Sequence, residues 1–339
     1  MKSITVIGSA NLDITRYVNE FPDSVENKVD LVGKSESFFG GKGANQALAI
    51  KKQLNISDNT KIYFLGCIGN DKNGIEVRKN LSDRDIDVSR VKISNLQTDG
   101  RFVIVCTKGK DKGKNRMVGF GECINQITPD YIKQNIDILK KSELIMIQLK
   151  MPEETIRYVI EYAYNNNKKL IVDPAPENKI DFLVKEDLLE KITFLTPNGD
   201  EAYTLKRLIE GECIDNIKNE LKHKINSQDK INQIKNFLIS YQNIVVTIGR
   251  HGVLYTKKEA GKISVKQKET FKDVPVDSTG AGDTFNGAFA AAIFRNESID
   301  DAIEKGLAAS SAKVLHKGAQ NGVPTLSETI NKIKKERYI

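Results

Sequence analysis

The sequence predicts an α/β fold: a doubly wound, mainly parallel sheet with helices on both faces, plus a small β-sheet lid. Short β-branched runs alternate with helical patterns along the 339 residues, an alternation typical of parallel sheets covered by helices. Several runs are apolar at successive positions, as expected for central strands that are buried on both faces. Two β-rich stretches interrupt the alternation, and they are the candidates for the lid.

Each element of the α/β body has its own apolar run or helical period. We expect strands at residues 4–7, 61–66, 144–149, 169–173, 192–195 and 244–248. Helical periodicity predicts helices at 44–54, 73–81, 129–141, 153–167, 200–209, 230–241, 283–294 and 300–316. These elements predict one domain over residues 1–339.

The lid is predicted from residues 14–39 and 98–120, which read as short strands and turns inserted in that domain. The second stretch contains a turn rich in Gly, Lys and Asp at 108–114. Residues 210–229 are polar and lack apolar periodicity. We therefore expect them to form a mobile surface excursion between two helices.

Composition excludes several classes of protein. Hydrophobic residues make up 39% and charged residues 29% of the chain, which is ordinary for a globular protein. No uninterrupted apolar run of about 18 residues is present, so we expect no membrane partner, and the N-terminus lacks signal-peptide features, which predicts a cytoplasmic location. The net charge of +7 comes from lysines spread over the chain, which argues against nucleic-acid binding. Four scattered cysteines without a C-x-x-C pair indicate reduced thiols.

The most informative motif is DSTGAGD at 277–283, which precedes an amphipathic helix. Gly280, Ala281 and Gly282 leave their backbone N–H groups unobstructed at a helix N-terminus, where free donors and the helix dipole favour phosphate oxygens. The carboxylate of Asp283 beside this cradle could accept a proton from a hydroxyl. Alternatively, Asp283 caps the helix and the glycines form a tight turn. The Walker A pattern G-x-x-x-x-G-K-[ST] is absent.

Two further motifs carry polar groups suited to a small polar ligand. In GGKGANQA at 40–47, Gly41 permits close approach to the main chain, and Lys42 and Asn45 could bond hydroxyl groups. In GSANLD at 8–13, Asn11 and Asp13 follow the first strand, where open α/β sheets bind ligands. The alternatives are a loop with a solvated lysine and an aspartate that caps a turn.

These motifs occur in one order along the chain, together with DPAP at 173–176, TPNGDEA at 196–202, TIGRHG at 247–252 and KGAQ at 317–320. In that order they resemble the ribokinase family of carbohydrate kinases over nearly the whole chain. The resemblance implies ATP-dependent phosphorylation of D-ribose at O5. A kinase for a related sugar or nucleoside (deoxyribose, fructose or adenosine) is the alternative. A non-catalytic sugar-binding relative is disfavoured, because the base and the glycine cradle are both present.

The resemblance also implies roles for individual residues. Asp283 is expected to be the base, and the anion hole is formed by Gly280, Ala281 and Gly282. The sugar is expected to contact Asn11, Asp13, Gly41, Lys42, Asn45 and Asp283. ATP is expected at Asn198, Thr247, Gly249, Gly252 and Gly282, with Mg²⁺ held through water by Glu201. A monovalent cation, K⁺, is expected near the anion hole, largely on backbone oxygens, at Asp277, Thr279, Lys313, His316 and Gly318. A homodimer through the lid is also implied.

Three positions depart from the family pattern. Lys150 stands where a glutamate near the sugar is usual, which indicates a different or anionic substrate, or a lysine that extends into solvent. Gly322 replaces a serine that helps to bind the cation, so we expect weaker cation binding. Asp173 replaces a common asparagine.

Overall fold

A five-stranded parallel sheet forms the centre of the structure, a computed structural model that describes residues 2–21, 31–55, 58–109, 112, 115–221, 227–259 and 261–337. In chain order the strands are β1 (Lys2–Ile7), β2 (Asn11–Val18), β3 (Leu31–Gly40), β4 (Thr60–Leu65), β5 (Cys67–Gly69), β6 (Lys92–Ser94), β7 (Gly100–Cys106), β8 (Asn115–Phe120), β9 (Leu144–Gln148), β10 (Lys169–Asp173), β11 (Phe194–Leu195), β12 (Val245–Thr247), β13 (Val253–Glu259) and β14 (Lys262–Lys268).

Helices connect these strands and cover the sheet. They are α1 (Lys42–Lys52), α2 (Lys72–Ser82), α3 (Pro129–Gln134), α4 (Ile136–Lys141), α5 (Glu153–Asn165), α6 (Ile180–Lys185), α7 (Gly199–Ile209), α8 (Ile214–Leu221), α9 (Ser227–Leu238), α10 (Ala281–Phe294), α11 (Ile299–Lys313) and α12 (Leu326–Arg337). Among the described residues no helix has the length and apolar character needed to cross a membrane.

The central sheet has the strand order β11-β10-β9-β1-β4, and every pairing in it is parallel. Isolated parallel bridges between Leu195 and Ile244 and between Asn198 and Thr247 attach β12 beside β11. The antiparallel strands β12-β13-β14 then extend that edge. Parallel strands place their carboxyl ends along one edge of the sheet, and this edge carries the candidate site.

Both faces of the central sheet are buried, because consecutive side chains of each strand point to opposite sides. Along β1, Val6 packs in the cluster that contains Phe289 of α10, whereas its neighbour Ile7 packs in the cluster that contains Ile160 of α5. The sequence prediction of a doubly wound α/β fold is confirmed in this respect.

A separate four-stranded sheet has the order β3-β2-β7-β8. Strands β2 and β7 pair in parallel, while the two outer pairings are antiparallel. Its strands lie in the two stretches expected to form the lid, except that β2 begins at Asn11 and β3 ends at Gly40. Asn11 pairs directly with Gly40, so this small sheet begins at two of the predicted ligand motifs.

Two expectations for the connecting segments differ from the structure. The helix predicted at 129–141 is two helices, because Asn135 leaves the helical region (φ −111°, ψ 19°). The stretch 210–229 contains α8 and the start of α9. Ile217 of α8 is fully buried. Residues 222–226 of that stretch lie outside the described residues. Ile217 and the partly buried Ile214 of α8 pack against the core, within a stretch that is otherwise mostly polar.

Candidate active site

The candidate active site lies where strand ends and helix N-termini meet. Gly8 follows β1, Gln148 ends β9 and Asp173 ends β10. The N-termini of α1, α7 and α10 lie at the same edge of the sheet. Lys42 of α1 contacts Asp173 and Asp283, and Glu201 of α7 lies near enough to Asp173 and Lys42 for their charges to shift its pKa. Strand ends supply fixed side chains and helix N-termini supply backbone donors, a combination suited to anionic ligands.

Asp283 is buried in the first turn of α10. Its Oδ2 accepts a hydrogen bond of 2.7 Å from Asn45 Nδ2, and its Oδ1 accepts one of 3.1 Å from Gln46 Nε2. The N-cap of α10 is Gly280, in a left-handed conformation with φ 78°. Asp283 therefore faces α1 rather than capping its own helix. Burial raises the pKa of Asp283, and the Lys42 ammonium, 3.9 Å from Oδ1, counteracts this.

Asp173 and Asp283 share two neighbouring side chains, Gln46 and Lys42. Gln46 Nε2 lies 2.7 Å from Asp173 Oδ2, and Lys42 Nζ lies 3.0 Å from the same oxygen. The motif at 40–47 did not predict a role for Gln46. Its spacing from Lys42 was a usable signal, because residues four apart lie on one face of a helix.

Lys42 lies among several carboxylates. Burial acts to lower the pKa of Lys42, but the carboxylates of Asp173, Asp283 and Glu201 together raise it above its ordinary value. Its ammonium is therefore charged at neutral pH. It supplies a positive charge beside two buried aspartates, Asp173 and Asp283.

Glu201 and Asn198 form a reciprocal cap at the start of α7. Asn198 Oδ1 accepts hydrogen bonds of 2.9 Å from the backbone N–H groups of Asp200 and Glu201, while Glu201 Oε2 accepts one of 2.8 Å from the backbone N–H of Asn198. Glu201 is 6% exposed. Burial and the neighbouring Asp173 raise the pKa of Glu201 to about 7, although the Asn198 N–H and Lys42 oppose the shift. The cap thus holds a carboxylate whose charge is sensitive to its surroundings.

Three of the buried acceptor oxygens that have no hydrogen-bond donor among the described residues belong to the candidate site. They are Asn11 Oδ1, Asp13 Oδ1 and Gln148 Oε1. Leaving such an atom unpaired typically costs about 1–3 kcal/mol, so a ligand that donates hydrogen bonds is expected here. Sugar hydroxyl groups are such donors.

Two glycines bring the main chain close to these acceptors. A Cβ at Gly8 would lie 1.9 Å from Gln148 Oε1. A Cβ at Gly41, whose φ is +88°, would lie 2.6 Å from the Cα of Ala10. Any side chain at either position would displace neighbouring atoms. Hydrogen bonds and ion pairs bring the predicted Lys42, Asn45 and Asp283 together with Gln46 and Gln148. Gly41 packs against Ala10 and Asn11, and Asp13 lies beside Gly40.

Lys150 lies two residues beyond Gln148 and is half-buried. Burial lowers the pKa of Lys150, the carboxylates of Asp99 and Asp13 raise it, and Arg101 lowers it. Burial raises the pKa of Asp13, and both Arg101 and Lys150 lower it. Lys150 therefore faces a group of two carboxylates and one guanidinium rather than extending into solvent.

A cavity of about 610 Å³ lies beside the N-terminus of α10, within the size range of small-molecule sites. Four predicted nucleotide contacts line it: Thr247, Gly249, Gly252 and Gly282. Asn198 lies outside this cavity and pairs with Thr247 through a β-bridge. Phe271 also lines it, and no sequence signal marked that residue.

The residues predicted to hold a monovalent cation come together, although one of them contributes differently from the expectation. Asp277 Oδ1 accepts a 2.9 Å hydrogen bond from Thr279 N, and its Oδ2 accepts one of 2.8 Å from Gly318 N. The Lys313 side chain points into this group, and its Nζ donates to the backbone oxygens of Asp277 (3.2 Å) and His316 (3.1 Å). These oxygens do not fit a free potassium ion, because an ammonium group already bonds them.

Known proteins that resemble this chain in sequence or fold are carbohydrate kinases. The sequence profile of the pfkB family of carbohydrate kinases matches residues 1–326. A ribokinase from Haemophilus influenzae is 28% identical over 330 residues, which cover 97% of each chain. A deoxyribokinase from Salmonella typhi is 26% identical and covers 96% of each chain. The solved structure of Arabidopsis thaliana ribokinase with ribose and ATP aligns with a TM-score of 0.76 at 23% identity, covering 98% of this chain and 99% of that one.

Proposed function

Because the chain belongs to the pfkB family of carbohydrate kinases, we propose that it transfers the terminal phosphoryl group of ATP to O5 of D-ribose. One observation carries the proposal above the others. A buried carboxylate, Asp283, lies at the N-terminus of α10; Asn45 and Gln46 of α1 bond its oxygens, and the residue before it, Gly282, lines a cavity of about 610 Å³. Phosphoryl transfer needs a base between the acceptor hydroxyl and the nucleotide, so we assign the sugar to the α1 side of Asp283 and the nucleotide to the cavity.

The sugar site recognises hydroxyl groups through its unpaired oxygens. Hydroxyl groups of the sugar donate to Asn11 Oδ1, Asp13 Oδ1 and Gln148 Oε1, which have no other donor among the described residues. Lys42 and Asn45 contribute donors to the same pocket. The sugar therefore replaces hydrogen bonds that the buried oxygens would otherwise lack.

Asp283 acts as the general base in this proposal. Its carboxylate accepts the proton of the O5 hydroxyl as that oxygen attacks the terminal phosphorus, while the bond from phosphorus to the bridging oxygen of ADP breaks. Asn45 and Gln46 hold both carboxylate oxygens in place. The backbone N–H groups of residues 280–282 stabilise the charge on the phosphoryl oxygens. A base of this kind contributes about 10²–10⁴-fold in rate.

Mg²⁺ fits the donor set beside this base. Mg²⁺ is usually bound through one or two carboxylates and retains several waters, and Glu201 and Asp173 are two buried carboxylates whose charges act on each other. We assign Glu201 to hold the ion through water, because Lys42 and Gln46 already bond Asp173 Oδ2. When bound, the ion would neutralise charge on the phosphate oxygens of the nucleotide.

The choice of ribose over related sugars rests on the number of unpaired acceptors. Deoxyribose has one hydroxyl fewer than ribose, so it would leave one more of the three buried oxygens unpaired. Discrimination against a sugar that lacks a recognised hydroxyl is strong for this reason. Deoxyribose remains the second candidate because of the similarity to a deoxyribokinase.

We also propose a homodimer formed through the small sheet. Several of its apolar side chains are exposed, and two of them, Phe102 (45%) and Val118 (64%), are paired across β7 and β8 and so lie on one face of the sheet. A second copy of the sheet would remove this apolar surface from water. Sedimentation velocity tests it, and a monomer at micromolar concentration would contradict it. The cytoplasmic location stays a prediction.

The test of function is a coupled ADP-release assay with D-ribose, deoxyribose, fructose and adenosine, run on the wild type, Asp283→Asn and Asp301→Asn. We expect ribose to give the highest kcat/KM. Asp283→Asn should bind ribose and ADP normally and lose about 10²–10⁴-fold in kcat. Asp301 is an exposed aspartate in the first turn of α11, so Asp301→Asn should behave as wild type.

Two results would contradict the proposal separately. A near-normal rate for Asp283→Asn would remove Asp283 as the base. Good turnover of another substrate without turnover of ribose would exclude ribose while leaving the kinase reaction intact.

A further inference from the structure

Lys313 is a lysine without solvent exposure. It is the last residue of α11, its exposed fraction is 0%, and it is among the largest fully buried side chains of the described residues. Lysine is rarely buried in this way unless it is paired. Its two recorded hydrogen bonds go to the backbone carbonyl oxygens of Asp277 and His316.

These two oxygens belong to segments that meet at the anion cradle. Asp277 begins the DSTGAGD motif, and His316 follows the end of α11. The backbone N–H groups of Val276 and Asp277 both donate to Val314 O, at 2.8 and 3.0 Å. A Cβ at Gly280 would lie 2.6 Å from Ala319 O. The loop that leads into α10 therefore rests on the segment that follows α11, and Lys313 lies between them.

The surroundings of the Lys313 ammonium favour a positive charge. Two carbonyl oxygens converge on it, the carboxylate of Asp277 belongs to the same group, and the C-terminal end of α11 adds the negative end of a helix dipole. Burial opposes this charge and lowers the pKa of Lys313, while the Asp277 carboxylate raises it. The two carbonyl oxygens and the carboxylate give the ammonium the partners that a buried charge requires.

The same site offers little to a free ion. Both carboxylate oxygens of Asp277 already accept backbone N–H groups. No side-chain ligand comes from position 322, because a Cβ at Gly322, whose φ is +72°, would lie 2.1 Å from the Cδ2 of His316. Two of the predicted backbone ligands, Asp277 O and His316 O, already accept hydrogen bonds from Lys313.

We propose that the Lys313 ammonium is a covalently tethered monovalent cation that positions residues 277–280 for phosphate binding, so that the protein needs no potassium ion. Lys313 is then a positioning residue, because it acts through the loop and touches neither substrate. The inference rests on the proposed phosphoryl transfer for its activity readout, and on nucleotide binding for an independent one.

The experiment compares the wild type and Lys313→Ala in tetramethylammonium chloride, in KCl and in methylammonium chloride at equal ionic strength. Both the ADP-release rate and the affinity for ADP by isothermal titration calorimetry are measured. We expect wild-type values to be the same in all three salts within about twofold. In tetramethylammonium chloride, the ADP-release rate and the ADP affinity of Lys313→Ala should each fall about 10- to 100-fold, the size expected for the loss of hydrogen bonds from a charged group. KCl or methylammonium should restore most of the loss, because a small cation can enter the vacated space.

The matched control is Lys305→Ala. Lys305 lies on the same helix and pairs with Glu297, away from the cradle, so its removal should create no cation dependence. Stimulation of the wild type by potassium of tenfold or more would overturn the proposal, and this result does not require any variant to fold. A folded Lys313→Ala that no cation restores would also overturn it. If the wild type turns over no sugar in the panel, the proposed function fails, whereas the ADP affinities still decide the role of Lys313.

Discussion

The carboxylates of Asp173 and Asp283 are joined through one nitrogen atom, Gln46 Nε2, which lies 2.7 Å from Asp173 Oδ2 and 3.1 Å from Asp283 Oδ1. Two like charges at such a separation disfavour each other's ionisation. Asp173 accordingly raises the pKa of Asp283, although burial is the larger cause, while Lys42 lowers it. The protonation of the proposed base therefore depends on two neighbours of opposite sign.

Replacing Asp173 by asparagine should make Asp283 a stronger acid. The substitution removes a charge that raises the pKa of Asp283 and keeps a side chain of the same size. A base works only when ionised, so the acid limb of the kcat/KM profile should move to lower pH. A pH–rate series measures this shift, with the exposed Asp137→Asn as control. An acid limb at the same pH in Asp173→Asn and the wild type would show that Asp173 does not affect the pKa of the base.

Replacing Lys42 by methionine should shift the same limb the other way. Lys42 supplies the positive charge that lowers the pKa of Asp283, so its loss raises that pKa and moves the acid limb to higher pH. The KM for the sugar should rise as well, because a donor is lost from the pocket. A uniform loss of rate without any shift would indicate that Lys42 contributes only to binding.

Glu201 links pH to stability. Its pKa is about 7 in the folded protein, against an ordinary value near 4.5, so the folded state loses stability as pH rises from about 4.5 to about 7. Glu201→Gln keeps an acceptor for Asn198 N–H and removes the charge. Urea unfolding should show the variant and the wild type equal at pH 4, and the variant more stable by roughly 2–4 kcal/mol at pH 8. Equal stabilities at pH 8 would contradict the raised pKa.

The glycines of the cradle should respond differently to alanine. A Cβ at Gly282 meets nothing within 4 Å, whereas at Gly280, with φ +78°, it would collide with the backbone of Ala319. Gly282→Ala should keep or raise stability, by up to about 1 kcal/mol, yet lose turnover because the methyl group narrows the cradle. Gly280→Ala should lose both stability and turnover. Thermal denaturation and kcat, measured on each variant, distinguish these two outcomes. Normal turnover in Gly282→Ala would argue against phosphate binding there.

Lys150→Met tests the position that departs from the family. Lys150 lowers the pKa of Asp13, so its removal should raise that pKa and leave more of the carboxyl protonated at mildly acidic pH. We expect the KM for ribose to increase more at pH 6 than at pH 8, with the KM for ATP unchanged. Lys108→Met, at an exposed position of the lid, is the control. An unchanged KM for ribose at both pH values would show that residue 150 is remote from the sugar.

Contiguous motifs made much of this site accessible from the sequence. Gly280, Gly282 and Asp283 are adjacent in the chain, and a helix start alone fixes their geometry. Gln46 and Asp173 are 127 residues apart, so their contact depends on which strand lies beside α1, and no local pattern encodes it. The role of Lys313 was missed for a related reason: the sequence suggested a backbone ligand, while the direction of a buried side chain is set by packing.

The fold shows the same division. Apolar runs located the central strands, whereas the hairpin of β13 and β14 was not predicted, because its strands carry the lysines of a half-exposed edge, such as Lys257 and Lys266. Helix α8 was also missed. Ile217 of this helix is fully buried and Ile214 packs against the same core, but this short apolar face lies in a stretch that is mostly polar.

The pairing of Asn11 with Gly40 joins one end of the small sheet to the proposed sugar site. Strand β3 has ten residues, and at about 3.3 Å per residue it is roughly 30 Å long. A rotation of about 10° at its root would carry its far end through roughly 5 Å, by the same strand geometry. Under the proposed function, small adjustments around a bound hydroxyl group would be magnified at the opposite end of the sheet, where the proposed second subunit would lie.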